Sequence, residues 1–87
     1  MLHKNLIEVL GGSGLTKDGD AYVVPAGLGV TVYLSLGDET LVVDRVSRLE
    51  VGAELATVAT TRKERYVVEL DAVTAFRFQP EGAGPGY

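Results

Sequence analysis

The strongest constraint on the fold is a strict alternation of apolar side chains over seven residues near the middle of the chain. The apolar positions are Val30, Val32, Leu34 and Leu36. Successive side chains of an extended strand point to opposite faces, so this spacing predicts a strand with one buried face. The composition agrees, since 13 valines and seven threonines accompany a single isoleucine. Such β-branched residues favour strands, and an all-β fold is therefore expected.

Further strands are predicted on both sides of this one. They cover residues 21–24, 39–46, 53–61, 65–70 and 74–78. Tight turns are expected at Gly19, at Gly37-Asp38 and at 62–64, because glycine and short acidic residues favour turn conformations. Residues 47–52 are expected to form a loop or a bulge.

The last two strands carry the predicted core anchors. The carboxylate of Asp71 can accept a hydrogen bond from a backbone N–H two residues further along the chain. This favours one turn of 3₁₀ helix through Ala72 and Val73. Phe76 and Phe78 then fall on one face of the final strand. Since an aromatic ring buries a large apolar area, both rings are expected to anchor the core.

The first ten residues are ambiguous. Leu2, Leu6, Val9 and Leu10 fit one face of a helix capped by Gly11. The same stretch also suits a strand buried on both faces, and the strand is favoured because the rest of the chain is predicted to be β. The N-terminal extension is thus a strand hairpin or a short helix.

A single domain is expected over residues 1–79. Residues 80–87 are rich in glycine and proline, so a flexible tail is predicted there. The chain has no cysteine, which excludes disulfides and thiolate chemistry. A cytoplasmic location is expected, with no signal peptide and no membrane-spanning segment.

The order of predicted elements resembles the SH3-like and Sm-like small β-barrels. Those folds have a long bent hairpin, two closing strands and a 3₁₀ link before the last strand. Gly37-Asp38 matches the turn of the first hairpin, and 66–70 with 72–75 match the closing strands and their link. The resemblance implies a barrel of five core strands over about 30–78. The family's RNA-gripping signature is not recognisable, since no Arg-Gly dipeptide occurs.

Catalysis is not expected from this sequence. His3 is the only histidine and lies near the end of the chain, so no Ser-His or Cys-His pair is available. No cofactor and no metal site are predicted.

The candidate binding residues are charged and aromatic side chains around the turn at 62–64. They are Arg62, Lys63 and Arg65, with Tyr33 and Tyr66 as stacking surfaces for bases. The favoured interpretation is a charged hairpin that keeps a strand edge from pairing. A site for a protein or peptide partner is the second interpretation, and a site for nucleic acid is the third. The net charge of −4 disfavours nucleic acid.

Arg45 and Arg48 would join this basic cluster if the sheet curled them to the same side. The position of these two residues in the folded chain therefore decides how large the cluster is.

The favoured hypothesis is a non-enzymatic interaction or assembly module that binds itself, another protein, or both. Two predicted strands, near 41–43 and 66–70, carry apolar residues on both faces. A subunit interface would explain the second face. One alternative is an Sm-like RNA-binding protein that uses the basic hairpin. Another is a structural subunit of a larger assembly such as a phage particle.

Overall fold

The computed structural model describes residues 1–80, which form one helix and eight strands. The elements are α1 (His3–Gly11), β1 (Thr16–Asp18), β2 (Ala21–Val23), β3 (Leu28–Leu36), β4 (Glu39–Val43), β5 (Val46–Val51), β6 (Leu55–Thr60), β7 (Arg65–Glu69) and β8 (Val73–Pro80). A 3₁₀ turn, Leu70–Ala72, joins the last two strands. The prediction of a 3₁₀ link around Asp71 is confirmed, with its start one residue earlier than Asp71.

The strands form two antiparallel sheets. One has the order β1-β2-β5-β6-β7 and the other the order β4-β3-β8. The expectation of a small, predominantly β protein is confirmed, and the sheets are not closed into a barrel. Within residues 1–80, β1, β4, β7 and β8 are therefore edge strands.

The predicted strand 39–46 is two strands in the structure. The chain breaks at Asp44 and Arg45, and Arg45 adopts a left-handed backbone with a φ of 56°. β4 then pairs with β3, whereas β5 pairs with β2 and β6. The left-handed residue turns the chain from one sheet into the other.

The prediction of a loop or a bulge at 47–52 is right only for the bulge, because most of these residues belong to β5 and the bulge lies at its start. The buried positions of β5 are Val46, Leu49 and Val51, three and then two residues apart. The register with β6 shifts between Val46 and Arg48. An extra residue at a bulge breaks the period of two, so the strand carries no clean alternation.

The favoured strand at residues 1–10 is also wrong, since His3–Gly11 is a helix. Leu6 and Leu10 are four residues apart, lie on one face of α1 and are buried in the core. The amino group of Met1 donates hydrogen bonds to the carbonyls of Leu70 and Val73, at 2.7 and 2.9 Å. The helix therefore packs close to the 3₁₀ turn.

The core lies between the inner faces of the two sheets and α1. Val30, Val32 and Leu34 are fully buried, which confirms the alternation of β3. Leu36 is exposed. Phe76 and Phe78 are half-buried, stack on each other with centroids 5.8 Å apart, and pack against the core rather than inside it. As anchors they contribute less burial than expected, because β8 is an edge strand.

The two ends of the described chain bear on two further predictions. Pro80 ends β8, and the rest of the predicted tail lies outside the described residues. No helix within residues 1–80 has the length and apolar character needed to cross a bilayer.

Candidate functional site

The candidate site is the hairpin of β6 and β7, whose tip is held by its own hydrogen bonds. The backbone N–H of Thr60 donates to the carbonyl of Glu64 at 3.0 Å, and the N–H of Lys63 donates to the carbonyl of Thr60 at 3.0 Å. Lys63 has a φ of 66°, the left-handed conformation that reverses the chain. The tip is thus a defined turn that presents Arg62 and Lys63 at one end of the sheet.

The three basic residues of the hairpin differ in their partners. The guanidinium of Arg62 lies 3.6 Å from the carboxylate of Asp44, and both side chains are more than half exposed. Within residues 1–80, Lys63 and Arg65 form no ion pair. The two cations free to meet a partner are therefore Lys63 at the tip and Arg65 at the start of β7.

The side chains of β7 alternate between the two faces of the sheet, as the sequence predicts. Arg65, Val67 and Glu69 are exposed, while Tyr66 and Val68 are half-buried. Tyr66 lies opposite the fully buried Val58 of β6, so its ring forms part of the core wall.

Tyr33 lies in the other sheet. It alternates with the buried residues of β3, so it faces outward, opposite Val42 of β4 and Ala75 of β8. Tyr66 faces inward on the five-stranded sheet. The structure therefore does not bring the two tyrosines together on one surface with the basic tip.

The two further arginines differ in their position relative to the tip. Arg48 on β5 contacts the carboxylates of Asp18 at 3.5 Å and Glu50 at 3.4 Å. Arg45 lies at the junction between β4 and β5, where its carbonyl accepts a hydrogen bond from the N–H of Thr61 at 2.9 Å, and it lines a cleft there. The backbone of Arg45 is thus next to the hairpin tip, whereas Arg48 is held by two carboxylates.

The outer edge of β7 has unpaired backbone groups. The alternate residues of an antiparallel strand direct their N–H and C=O groups to opposite sides. At one end of β7 the carbonyl of Glu64 accepts a hydrogen bond from the N–H of Thr60, and at the other end the N–H of Leu70 donates to the carbonyl of Glu54, each at 3.0 Å. Arg65, Val67 and Glu69 therefore point their backbone groups away from β6. The sequence predicts an open edge, but its location required the strand order.

The exposed side chains along this edge have a symmetric arrangement. Val67 lies at the centre of β7 and is 57% exposed. A cation, Arg65, stands two residues before it, and an anion, Glu69, stands two residues after it. Such an edge is complementary to its own copy in the antiparallel orientation, where each Arg65 would face a Glu69.

A second group of polar residues lies near the start of α1. His3 lines a cleft of about 540 Å³ together with the acidic residues Glu54, Glu69 and Asp71. Within residues 1–80, no three or more His, Asp or Glu side chains are placed to hold a metal ion.

Searches of family models, curated proteins and solved structures find nothing that matches this chain.

Proposed function

We propose that this protein is a non-enzymatic assembly module that associates with itself through the free edge of β7. The main support is that a cation, an apolar residue and an anion alternate along one exposed edge, at Arg65, Val67 and Glu69. Two copies related by a twofold axis at Val67 would pair their β7 strands antiparallel. The five-stranded sheets would then continue into one sheet of ten strands.

The pairing satisfies groups that the single chain leaves free. In this register each Arg65 lies opposite the partner's Glu69, and the two copies of Val67 face each other. The outward N–H and C=O groups of all three residues find partners, and a twofold axis makes every contact occur twice. An exposed edge with an apolar centre otherwise invites uncontrolled association.

The expected affinity is moderate. Two strands of five residues bury less area than a standard interface, which is roughly 1,600 Å² in total. The dimer is therefore expected to form in a concentration-dependent manner, with the charge pairs fixing the register more than supplying affinity.

The experiment is a charge exchange followed by sedimentation velocity over a concentration series. Arg65→Glu places two carboxylates opposite each other in both halves of the interface, and Glu69→Arg places two cations there. Each single variant is expected to weaken dimerisation about tenfold or more, because like charges directly opposite repel across a strand pair. The double variant Arg65→Glu/Glu69→Arg is expected to restore it.

A matched control separates the edge from general surface charge. Val42 is 53% exposed on β4, the edge of the other sheet. Val67→Lys is expected to abolish dimerisation, whereas Val42→Lys is expected to leave it intact. A wild type that stays monomeric at millimolar concentration, or a double variant that fails to recover, would count against the proposal.

We propose further that the fold is an open SH3-like or Sm-like barrel. From β3 onward, the elements follow the order of an open SH3-like or Sm-like barrel, with β4 and β5 as the two halves of its bent strand. Three observations support this: β8 returns to pair with β3, the 3₁₀ turn precedes β8, and the chain bends at Arg45.

Binding of RNA by the hairpin tip is the second candidate. It is favoured by Lys63 and Arg65, which form no ion pair within residues 1–80. Binding of a single-stranded RNA at low salt, lost in Arg65→Glu and kept in Glu69→Arg, would favour this candidate, since phosphate affinity follows cations. Dimerisation responds to both substitutions, so the two functions are distinguishable.

A further inference from the structure

A cleft of about 500 Å³ lies at the junction between β4 and β5, away from the free edge of β7. Its apolar lining includes Val24, Pro25, Leu28 and Val46. The polar residues of its lining are Arg45, Ser47 and Thr61. The volume falls within the range typical of small-ligand sites, about 300–1,000 Å³.

Backbone hydrogen bonds hold the walls of this cleft in place. The N–H of Val24 donates to the carbonyl of Ser47 at 2.9 Å, which joins the loop after β2 to β5. The N–H of Thr61 donates to the carbonyl of Arg45 at 2.9 Å, which joins the tip of the β6–β7 hairpin to the β4–β5 junction. A ligand would therefore meet a preformed site and would have little chain to order.

The cleft combines one positive charge with an apolar interior. Arg45 is the only charged residue among the described residues that line it, and it forms no ion pair within residues 1–80. The neighbouring carboxylate of Asp44 is paired with Arg62. The hydroxyl of Ser47 donates to the carbonyl of Ala59 at 3.3 Å, whereas the hydroxyl of Thr61 makes no hydrogen bond within the described residues. A guanidinium and a hydroxyl that line the same cleft suit an anionic group with planar oxygens.

The backbone conformation of Arg45 is one that favours glycine over arginine. It is one of two non-glycine residues with a positive φ within residues 1–80, the other being Lys63 in the tight hairpin turn. Glycine adopts this conformation without a steric cost, and arginine does not. A strained residue whose side chain lines a cleft is a candidate for a binding role.

We propose that this cleft binds a carboxylate carried on a short apolar body, as at the C-terminal residue of a peptide that ends in leucine. The guanidinium of Arg45 donates hydrogen bonds to the carboxylate, and the hydroxyl of Thr61 donates one more. The apolar body lies against Val24, Leu28 and Val46. This site is independent of self-association through β7.

The test uses two probes that differ only in charge: N-acetyl-leucine, with a free carboxylate, and N-acetyl-leucinamide, which is neutral. Binding to the full chain is followed by the backbone amide resonances of Val46, Ser47 and Thr61. The carboxylate is expected to bind in the millimolar range and about tenfold or more tightly than the amide, as charge-assisted hydrogen bonds to a guanidinium imply. Equal affinity for the two probes, or no shift of these resonances, would overturn the proposal.

Two variants and one further probe complete the design. Arg45→Gly keeps the left-handed backbone and removes the guanidinium, so binding of N-acetyl-leucine is expected to be lost with the fold intact. Lys63→Gly makes the same kind of change outside the cleft and is expected to bind like the wild type. Retained binding in Arg45→Gly would overturn the role of the guanidinium. Inorganic phosphate that bound as tightly as N-acetyl-leucine would overturn the role of the apolar wall.

Discussion

The buried hydroxyl of Thr60 accepts a hydrogen bond from the backbone N–H of Glu64 at 3.2 Å, where the β6–β7 hairpin reverses direction. The same hydroxyl lies 3.4 Å from the carboxylate of Glu64, to which it donates. Thr60 is 4% exposed and is the one buried polar or charged residue within residues 1–80. The side chain of Thr60 thus adds to the backbone hydrogen bonds that hold the turn at Lys63 and the start of β7.

Thr60→Val tests this contact, because it keeps the shape of the side chain and removes its oxygen. The N–H of Glu64 then loses its partner, and the free energy of unfolding is expected to fall by about 1–2 kcal/mol. Chemical denaturation followed by circular dichroism measures the change. Thr57→Val on the same strand is the control, since the side chain of Thr57 makes no hydrogen bond to any of residues 1–80. An equal effect of the two substitutions would show that the hydroxyl of Thr60 does not hold the turn.

Proline at two neighbouring positions of β7 separates the free edge from the paired one. The N–H of Val67 points away from β6, so Val67→Pro removes no internal hydrogen bond and is expected to fold while blocking dimerisation. The N–H of Val68 points toward β6, so Val68→Pro breaks the ladder. The loss leaves an acceptor unpaired, and it is expected to lower the free energy of unfolding by about 1–3 kcal/mol more than Val67→Pro does.

Thermal unfolding and sedimentation velocity on the same two samples give the readouts. A Val67→Pro variant that still dimerises would rule out pairing through this edge. If Val67→Pro unfolds the chain as fully as Val68→Pro, the direction assigned to the backbone groups of β7 is wrong.

Much of the fold follows from local pattern. The alternation at 30–34, the turn at Gly37 and the two faces of 65–69 were predictable because each depends on neighbouring residues only. The expected burial of Leu36 at the end of β3 was wrong. The strand β5 was not predictable, although a bulge was one of the two expectations for 47–52, since an extra residue removes the period of two that identifies a strand.

The candidate site was predictable only in part. The sequence singles out Arg62, Lys63 and Arg65 as a basic hairpin, and the structure places them there. The sequence grouped Tyr33 with Tyr66 without knowing the strand order, and the two residues lie in different sheets, Tyr33 on an outer face and Tyr66 against the core. The free edge of β7 and the cleft at Arg45 depend on which strands pair, and strand order is set by long-range contacts.

Two substitutions in α1 test whether residues 1–10 form a helix or a strand, which the sequence alone left open. Leu10 is fully buried, whereas its neighbour Val9 is 36% exposed. Leu10→Ala is expected to lower the free energy of unfolding by about 2–5 kcal/mol, because it removes buried methyl groups and leaves a cavity. Val9→Ala is expected to change it by less than about 0.5 kcal/mol, since alanine favours a helix and little burial is lost. In a strand buried on both faces the two costs would be similar, so comparable denaturation midpoints for the two variants would argue against the helix.

The left-handed backbone at Arg45 and Lys63 predicts that two substitutions to glycine stabilise the protein. A non-glycine residue in this conformation costs about 1–2 kcal/mol, and the greater freedom of glycine in the unfolded chain offsets roughly half of that. Arg45→Gly and Lys63→Gly are each expected to raise the free energy of unfolding by about 0.5–1 kcal/mol.

Gly37→Ala is the reverse experiment, because Gly37 has a φ of 67° and a Cβ there would meet no atom within 4 Å. Its expected loss of about 1 kcal/mol is therefore purely conformational. Denaturant titration of the three variants measures these changes. Arg45→Gly that destabilises the chain while Lys63→Gly stabilises it would mean that the guanidinium of Arg45 contributes packing to the fold, and its loss could then no longer be interpreted as the loss of a ligand contact alone.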